Sequence, residues 1–249
     1  MSVFTLKCLA MLTMLCDHAG LFLLGSSLPM RCIGRFSFIT YAFLLAEGYV
    51  HTGKNKKSET EHIKLLLLLI IPGELAFDYA LFGRVSFALQ SVIPTLLLGY
   101  LGMMAFNTLQ SSGRSILLPL LVCIACALVA LLLRADYSLA GVLLIFAFYR
   151  YARCQDSMPL RRKIAVLTCL GAVYTLLASR FMFGKCSLPE YIDKVRANWP
   201  WIISTFLAFL PLAAYNGKRG VNPPAFRTLY RYFYPAHLFL IILVREFIH

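Results

Sequence analysis

Charged residues are scarce in this chain, and acidic residues are the scarcer of the two kinds. Lys and Arg number 24 and Asp and Glu number 11 among 249 residues, so only 14% of the chain is charged. A soluble domain carries roughly a quarter charged residues. The 60% of hydrophobic residues and the mean hydropathy of +0.74 exclude an ordinary soluble protein and predict a polytopic integral membrane protein.

Long hydrophilic segments are also missing. The longest connection, 181–199, and the hydrophilic segment 51–63 are both too short for a soluble domain. Apolar runs recur instead, each near the ~20 residues that cross ~30 Å of hydrocarbon. We expect an all-α helical bundle that forms a single transmembrane domain over residues 1–249, with about nine spans and a range of eight to ten. The predicted spans are 3–24, 36–50, 64–82 (interrupted by Pro72 and Gly73), 88–106, 115–133, 137–150, 163–180, 200–215 and 233–247.

The basic residues are distributed unequally between the two sides of the predicted bundle. With nine spans, fifteen of the 24 lie on the side that holds the N-terminus and the segments 51–63, 150–163 and 216–231, and nine lie opposite. Because Lys and Arg are enriched in cytoplasmic loops, this side is predicted to be cytoplasmic and His249 to lie outside. Topology and contact with anionic membrane lipids then explain the net charge of +13, and no nucleic-acid partner is expected.

Disulfide, metal and phosphate-loop signatures are absent from the sequence. Most of the eight cysteines lie in or beside apolar runs, which gives no disulfide framework. Cys123 and Cys126 form a C-x-x-C pair inside an apolar helix and are expected to be buried small side chains. No metal is expected, and neither a glycine-rich phosphate loop nor a nucleophile elbow is present.

Ionisable side chains within the apolar runs are the informative residues, because each costs ~2.5 kcal/mol or more in hydrocarbon. In the first span, Lys7 and His18 are eleven residues apart. This spacing is three helical turns, so both lie on one face, separated by ~16 Å. Asp17 points about 100° away from His18. Alternatively, Lys7 reaches the cytoplasmic interface as a snorkelling side chain, and His18 forms only an interhelical hydrogen bond.

The third span carries two carboxylates. Glu74 and Asp78 are four residues apart and share a helical face. Carboxylates in hydrocarbon need cations, and Arg31 and Arg35 at the entrance to the second span are the candidates. The alternative is an ion-pair network that fixes helix order and takes no part in chemistry. The sequence assigns no role to three further polar residues: Glu47, Asp136 and His237.

Seven segments run in order along nearly the whole chain and carry a resemblance to a known family. They are LKCLAMLTMLCDH (6–18), RCIGRFSFITYAFLLAEGYVHT (31–52), ELAFD (74–78), QSVIPTLLLGYL (90–101), DYSLAGVLLIFAFYRY (136–151), YNGKRG (215–220) and YFYPAHLFLI (232–241). Together they resemble the TraX family, acetylase-type membrane proteins linked to conjugative pilin maturation. Segments 107–135 and 181–199 carry no comparable signature.

The TraX family in turn is distantly similar to the membrane acyltransferase (acyltransferase-3-like) group, which moves acyl chains from acyl-CoA to acceptors beyond the membrane. In that group a basic residue, ten intervening residues and a catalytic histidine lie on the first helix. Lys7 and His18 match this spacing. Lysine stands here where arginine is common, which weakens any bidentate phosphate contact.

The resemblance implies a catalytic mechanism. His18 is expected to act as general base, a task for which the ordinary, near-neutral pKa of a histidine side chain is suited. A carboxylate, from Asp17, Glu74 or Asp78, is expected to orient the imidazole ring. Arg31 or Arg35 is expected to stabilise the tetrahedral oxyanion, since a cation stabilises negative charge more strongly in a site without water than in water.

The resemblance also implies the substrates and the location. Cytoplasmic acetyl-CoA is the expected acyl donor, with its phosphates held by five basic residues: Lys7, Lys218, Arg219, Arg227 and Arg231. The expected acceptor is the N-terminal amine of a pilin subunit, reached from the outer face of a bacterial inner membrane. A hydroxyl of an envelope glycan or lipid is the alternative acceptor. The alternatives to an enzyme are a proton-coupled transporter and a noncatalytic pilus assembly factor.

Overall fold

The computed structural model describes residues 1–52, 55–113 and 115–248. In these ranges the regular secondary structure is helical, apart from one isolated parallel bridge between Gln90 and Ala135, which confirms the all-α prediction. Residues 53–54 of segment 51–63, and the predicted outer residue His249, lie outside the described ranges. The helices are α1 (Val3–Phe22), α2 (Leu28–Thr52), α3 (Lys56–Phe82), α4 (Val92–Ser111), α5 (Leu117–Leu132), α6 (Ser138–Ala152), α7 (Leu160–Phe183), α8 (Leu188–Ala197), α9 (Trp199–Leu207), α10 (Leu210–Ala213) and α11 (Pro224–Ile248).

Four helices among the described residues are long and apolar enough to cross a membrane: α1, α3, α4 and α7. Shorter apolar helical segments are Leu117–Leu132, Ser138–Ala152 and Trp199–Ala213. At 1.5 Å per residue, the 16 residues of α5 extend about 24 Å, less than the ~30 Å of hydrocarbon. Helices occur near all nine predicted spans, but nine membrane crossings are not confirmed.

Two helices in the first half of the chain begin earlier than predicted. The second helix begins at Leu28 rather than at residue 36, so Arg31 and Arg35 lie inside α2. The third begins at Lys56 rather than at residue 64. The third helix continues through Pro72 instead of being interrupted there. A proline removes one backbone hydrogen bond, and packing against a neighbouring helix can compensate for this loss in a membrane helix. Such packing is present, because a Cβ on Gly73 would overlap the Ile93 side chain of α4.

Two predictions in the second half are also corrected. The predicted helix 200–215 is divided into α9 and α10. Pro211, at the start of α10, has no N–H to donate to the carbonyl of Leu207, which interrupts the hydrogen-bond ladder at this point. Segment 181–199, predicted as a connection, contains α8.

The described chain divides into two compact units. The first consists of Met1–Tyr41 and Ser157–Tyr230, and the second of Ala42–Asp156 and Arg231–His249. In the first unit, Phe209 packs on the ring of Tyr174 at 5.8 Å between centroids and covers Gly171 of α7. The fully buried side chains of the first unit include Leu6, Ile39, Leu167, Phe209 and Leu212.

The second unit is built on close packing of α4, α5 and α6. Ile145 of α6 lies so close to Gly99 of α4 that a Cβ on this glycine would overlap it. Small side chains on α5, including Ala127 and Ala130, are buried against Val142 of α6. Small residues of this kind allow helix backbones to approach closely in a membrane bundle.

Candidate functional site

A buried ion cluster joins α1 to α2 in the first unit. Arg31 Nη1 donates a hydrogen bond to Asp17 Oδ1 at 2.8 Å. Arg35 Nη2 donates to Asp17 Oδ1 at 3.1 Å and to Oδ2 at 3.0 Å. The two arginines are four residues apart, so α2 presents them on one face. The structure thus brings together three of the residues predicted from the sequence.

Two glycines allow the helices to approach closely enough for this cluster. A Cβ on Gly34 of α2 would overlap the Asp17 side chain, and a Cβ on Gly20 of α1 would overlap Met30. The short turn between the helices has positive φ at Gly25 and Ser26, a conformation that reverses the chain tightly. The arginine head groups therefore reach a carboxylate on the adjacent helix.

The cluster carries more positive than negative charge. It contains two guanidinium groups and one carboxylate, so an ionised cluster has a net charge of one positive unit. The side chain of Arg35 is 9% exposed and that of Arg31 27% exposed. Arg35 is further held by its Nε, which donates to the Arg31 carbonyl at 3.1 Å, and by the Trp201 ring, 5.5 Å from its guanidinium carbon. Arg31 is the more accessible cation for an oxygen of a bound substrate.

His18 follows Asp17 on α1 and points to a different side of the helix, about 100° away. Its imidazole is partly exposed and lies 5.7 Å, between ring centroids, from Phe22 one turn later. Because α1 is continuous from Val3 to Phe22, Lys7 and His18 do share a face. A ligand that extends ~16 Å along this face can contact both side chains.

The predicted basic loop packs on the N-terminal end of α1. The backbone N–H of Val3 donates to the Lys218 carbonyl at 2.9 Å, and that of Phe4 donates to the Arg219 carbonyl at 3.1 Å. The first N–H groups of a helix have no partner within the helix, so the loop satisfies two of them. The side chains of Lys218 and Arg219 remain exposed. The loop therefore holds its two cations at the end of α1 that also carries Lys7.

Lys7 and the first turns of α11 lie beside this loop. Phe4 packs on Phe226 with 4.7 Å between ring centroids. Lys7 Nζ lies 4.4 Å from the centroid of the Tyr230 ring, a cation–π contact. Arg227 is exposed on the same helix, and Arg231 follows one turn later, at the start of the α11 segment that belongs to the second unit.

Gly34 provides a test of how closely the ion cluster is packed. Gly34→Ala should destabilise the protein by about 1–3 kcal/mol, because the new methyl group displaces Asp17 from its arginines. Gly48→Ala on the same helix is the matched control, since a Cβ there meets no atom within 4 Å. Thermal unfolding in detergent should show a lower midpoint for the first variant and an unchanged or higher midpoint for the second. If both variants unfold at the same temperature, the Asp17 side chain can move to make space for the new methyl group, and the cluster is not closely packed.

The predicted carboxylates of α3 lie in the second unit and bind the connection to α4. Ser91 donates to Glu74 through its backbone N–H, at 2.9 and 3.1 Å, and through its hydroxyl, at 2.7 Å. The backbone N–H of Ser86 donates to Asp78 Oδ2 at 2.9 Å. Ser91 also caps α4 by accepting from the N–H of Ile93. These contacts fix the start of α4, as expected for carboxylates with a structural role.

The structure also places the three polar residues to which the sequence assigned no role. Buried Glu47 accepts a hydrogen bond from Gln155 and lies 2.8 Å from His51 Nε2. The Asp136 carbonyl accepts from the Thr95 hydroxyl. His237 Nδ1 lies 2.6 Å from the Phe233 carbonyl one turn earlier. All these contacts lie within the second unit.

Comparison with known proteins gives a family match and one distant relative. The family model described as TraX protein matches residues 2–245. The chain is 26% identical to the probable fimbrial assembly protein FimC, serogroup H1, of Dichelobacter nodosus, over 99% of this chain and 97% of that protein. No solved structure matches the chain.

Proposed function

The chain belongs to the TraX family, since the family match covers nearly its whole length, and from this premise we propose that it is a membrane-embedded acetyltransferase. It transfers the acetyl group of cytoplasmic acetyl-CoA to the N-terminal amine of a pilin subunit. We place it in the bacterial inner membrane with its N-terminus in the cytoplasm, as the excess of basic residues on that side favours. The fimbrial assembly name of the relative supports a pilin as acceptor.

The single observation that carries the proposal is the cationic cluster of Asp17, Arg31 and Arg35 next to His18 in sequence. In acyl transfer the acceptor nitrogen attacks the thioester carbonyl, and negative charge develops on the carbonyl oxygen. A fixed, mostly buried cation stabilises this charge more than water does. Arg31, the more exposed of the two arginines, is the residue that we assign to this contact.

His18 is assigned to the proton transfer. It accepts the proton that the attacking nitrogen loses as the new C–N bond forms. The C–S bond then breaks, and the CoA thiolate leaves and takes up a proton from the imidazolium, so that His18 returns to its neutral form. An imidazole is suited to both steps because its pKa lies near neutrality. Asp17 does not contact the substrate in this mechanism. It holds the guanidinium groups of Arg31 and Arg35 in position.

The donor phosphates are assigned to the basic loop and its neighbours. Lys218 and Arg219 are exposed at the N-terminal end of α1, where Lys7 and Arg227 add positive charge. From this end of α1 the pantetheine arm would extend along the face that carries Lys7 and His18.

Replacing Lys218 and Arg219 together with alanine should raise the apparent Michaelis constant for acetyl-CoA by about tenfold or more, with little change in turnover. Both residues are assigned to phosphate contacts that persist from the bound donor to the transition state. Arg161→Ala with Arg162→Ala is the matched control, because both arginines are exposed at the start of α7 on the same predicted side. Steady-state kinetics at varied acetyl-CoA measure the effect. A fall in turnover with an unchanged Michaelis constant would place the donor elsewhere.

The direct test of the proposed function is transfer by the purified protein in detergent. Acetyl-CoA with a labelled acetyl group is mixed with a peptide that begins with the mature N-terminus of the host pilin, and the product is located by mass spectrometry. The same peptide with a blocked N-terminus is the control. Label on the free amine supports the proposal. Label on a glycan or lipid hydroxyl would identify the alternative acceptor, and neither transfer nor CoA release would favour a transporter or an assembly factor.

The pH dependence distinguishes an amine from a hydroxyl acceptor. Only the neutral amine attacks, and an α-amino group has a pKa of about 7.7–8.0. Transfer to an amine should therefore become faster as the pH rises toward 8, since more of the acceptor is deprotonated. A hydroxyl acceptor does not titrate in this range. The rate of transfer to a hydroxyl therefore depends on pH only through the protonation of the enzyme.

A further inference from the structure

The helix α8 has one apolar face and one charged face. It begins after Ser187, whose hydroxyl accepts a hydrogen bond from the Glu190 N–H at 3.4 Å. Its apolar residues recur at the i, i+3, i+4 and i+7 positions of a surface helix. At 1.5 Å per residue, its 10 residues extend about 15 Å, which is too short to cross a membrane. The apolar residues are Leu188, Tyr191, Ile192 and Val195, and the charged residues are Glu190, Asp193, Lys194 and Arg196.

Contacts with α7 set the depth of α8. The hydroxyls of Tyr191 and Ser179 lie 2.7 Å apart, and Lys194 Nζ donates to the Phe183 carbonyl at 3.4 Å. Ser179 ends the apolar run of α7, which lies between the charged residues Lys163 and Arg180. Charged residues favour the ends of a membrane-spanning helix, so a membrane-spanning α7 places α8 at the boundary between hydrocarbon and head groups.

The charged face of α8 excludes the helix from hydrocarbon. Lys194 Nζ lies 2.8 Å from Glu190 Oε1, and Arg196 Nη1 lies 3.7 Å from Asp193 Oδ1. The hydrogen bond from Lys194 lowers the pKa of Glu190, and the same contact raises the pKa of Lys194. Both groups therefore stay charged at neutral pH, and charged groups at this depth remain among water and lipid head groups.

Leu188 and Ile192 of the apolar face are exposed, whereas Tyr191 and Val195 are half-buried. Leu188 is 71% exposed, Ile192 41%, and Trp199, the first residue of α9, 60%. Several residues near the end of α7, including Leu176 and Met182, are exposed as well, as expected for a helix that faces lipid. A tryptophan next to this boundary is typical of the aromatic belt of membrane proteins.

We propose that α8 is an interfacial helix, and that its residues Leu188 and Ile192, together with Trp199 at the start of α9, bind the lipid bilayer at the head-group boundary. Its charged face then lies among the head groups. At the depth set by the contacts with α7, the apolar side chains thus contact lipid and the charged side chains remain hydrated. The interfacial helix is also connected to the candidate site, because Trp201, two residues beyond Trp199, contacts Arg35. Binding of α8 to the bilayer thus fixes the start of α9, which supports the Arg35 side chain.

The two tryptophans of the chain allow a direct measurement. Trp201→Phe leaves Trp199 as the only tryptophan, and the protein is reconstituted in phosphatidylcholine vesicles that contain lipids brominated at a chosen depth. We expect a larger loss of Trp199 fluorescence with bromine near the head-group end of the acyl chain than with bromine near its methyl end. Quenching by aqueous iodide without quenching by lipid would overturn the proposal, because α8 would then lie in water. Quenching by neither would also overturn it, since protein, such as a second copy, would cover the face.

Matched variants on neighbouring positions of α8 test its orientation. In the Trp201→Phe protein, Ile192→Asn should reduce quenching by brominated lipid and increase quenching by iodide, since it removes apolar surface from the bound face. Asp193→Asn introduces the same side chain on the charged face and should leave both unchanged. Equal effects of the two substitutions would contradict the assignment of faces. None of these measurements depends on acetyl transfer.

Discussion

His18→Ala should leave a folded protein that still binds acetyl-CoA but transfers the acetyl group about 10²- to 10⁴-fold more slowly, the range that a general base supplies. Folding should be preserved because the imidazole is partly exposed on α1. Initial rates of peptide acetylation, with thermal unfolding as the check on folding, measure the two effects separately.

His18→Asn distinguishes the general base from a structural hydrogen bond. Asparagine keeps a side chain that can donate and accept hydrogen bonds but takes up no proton at neutral pH. If His18 transfers a proton, His18→Asn should be as slow as His18→Ala. An active His18→Asn protein would reject the general-base assignment and leave His18 an interhelical contact.

Asp17→Asn should have the largest effect on folding, a loss of about 3–5 kcal/mol, because removing one partner of a buried ion pair leaves a charge uncompensated. Two cations are affected here, since Arg31 and Arg35 both bind this carboxylate. Thermal unfolding in detergent should show a much lower midpoint or little folded protein. Glu190→Gln is the control, because it removes a carboxylate from an exposed ion pair and should change the midpoint little.

A double variant tests whether the loss comes from the charges. Asp17→Asn combined with Arg35→Gln removes one charge of each sign and should be more stable than Asp17→Asn alone. The coupling between the two substitutions is then measured by a double-mutant cycle. A double variant that is no more stable than the single one would attribute the loss to packing around Gly34 instead of electrostatics.

The sequence predicted the faces of single helices but not the pairing between helices. The spacing of Lys7 and His18, and that of Arg31 and Arg35, follow from helical periodicity alone and hold in the structure. Periodicity gives no information about which helix packs against which face. The sequence therefore offered Glu74 and Asp78 as partners of the arginines, whereas the structure pairs both with Asp17.

A signal for this pairing was present. Gly25 and Ser26 lie between the apolar runs of α1 and α2, and such residues favour a tight turn. Helices joined by a short turn are antiparallel neighbours, which places the end of α1 beside the start of α2. The sequence contains no comparable signal for the contact between Trp201 and Arg35, because these residues are far apart in the chain.

The helix α8 was not predicted, although the sequence contains the signals for it. The stretch LPEYIDKV (188–195) has apolar residues with helical spacing and a serine before it, which are the features of a capped amphipathic helix. A connection is predicted here, because only the apolar runs of membrane-spanning length are counted as helices. A search for apolar runs of spanning length does not detect helices that lie on the membrane surface.

The contact of Val3 and Phe4 with the carbonyls of Lys218 and Arg219 has a consequence for biosynthesis. Val3 and Phe4 are translated before Lys218 and Arg219, which follow them 215 residues later in the chain. At ~5–20 residues per second, the loop follows α1 after an interval on the order of 10–40 s. During this interval the loop carbonyls that will receive the N–H groups of Val3 and Phe4 do not yet exist. The proposed donor-binding surface is therefore completed only once residues 218–227 have been translated, and a chain released by the ribosome before residue 218 lacks the loop that is proposed to hold acetyl-CoA.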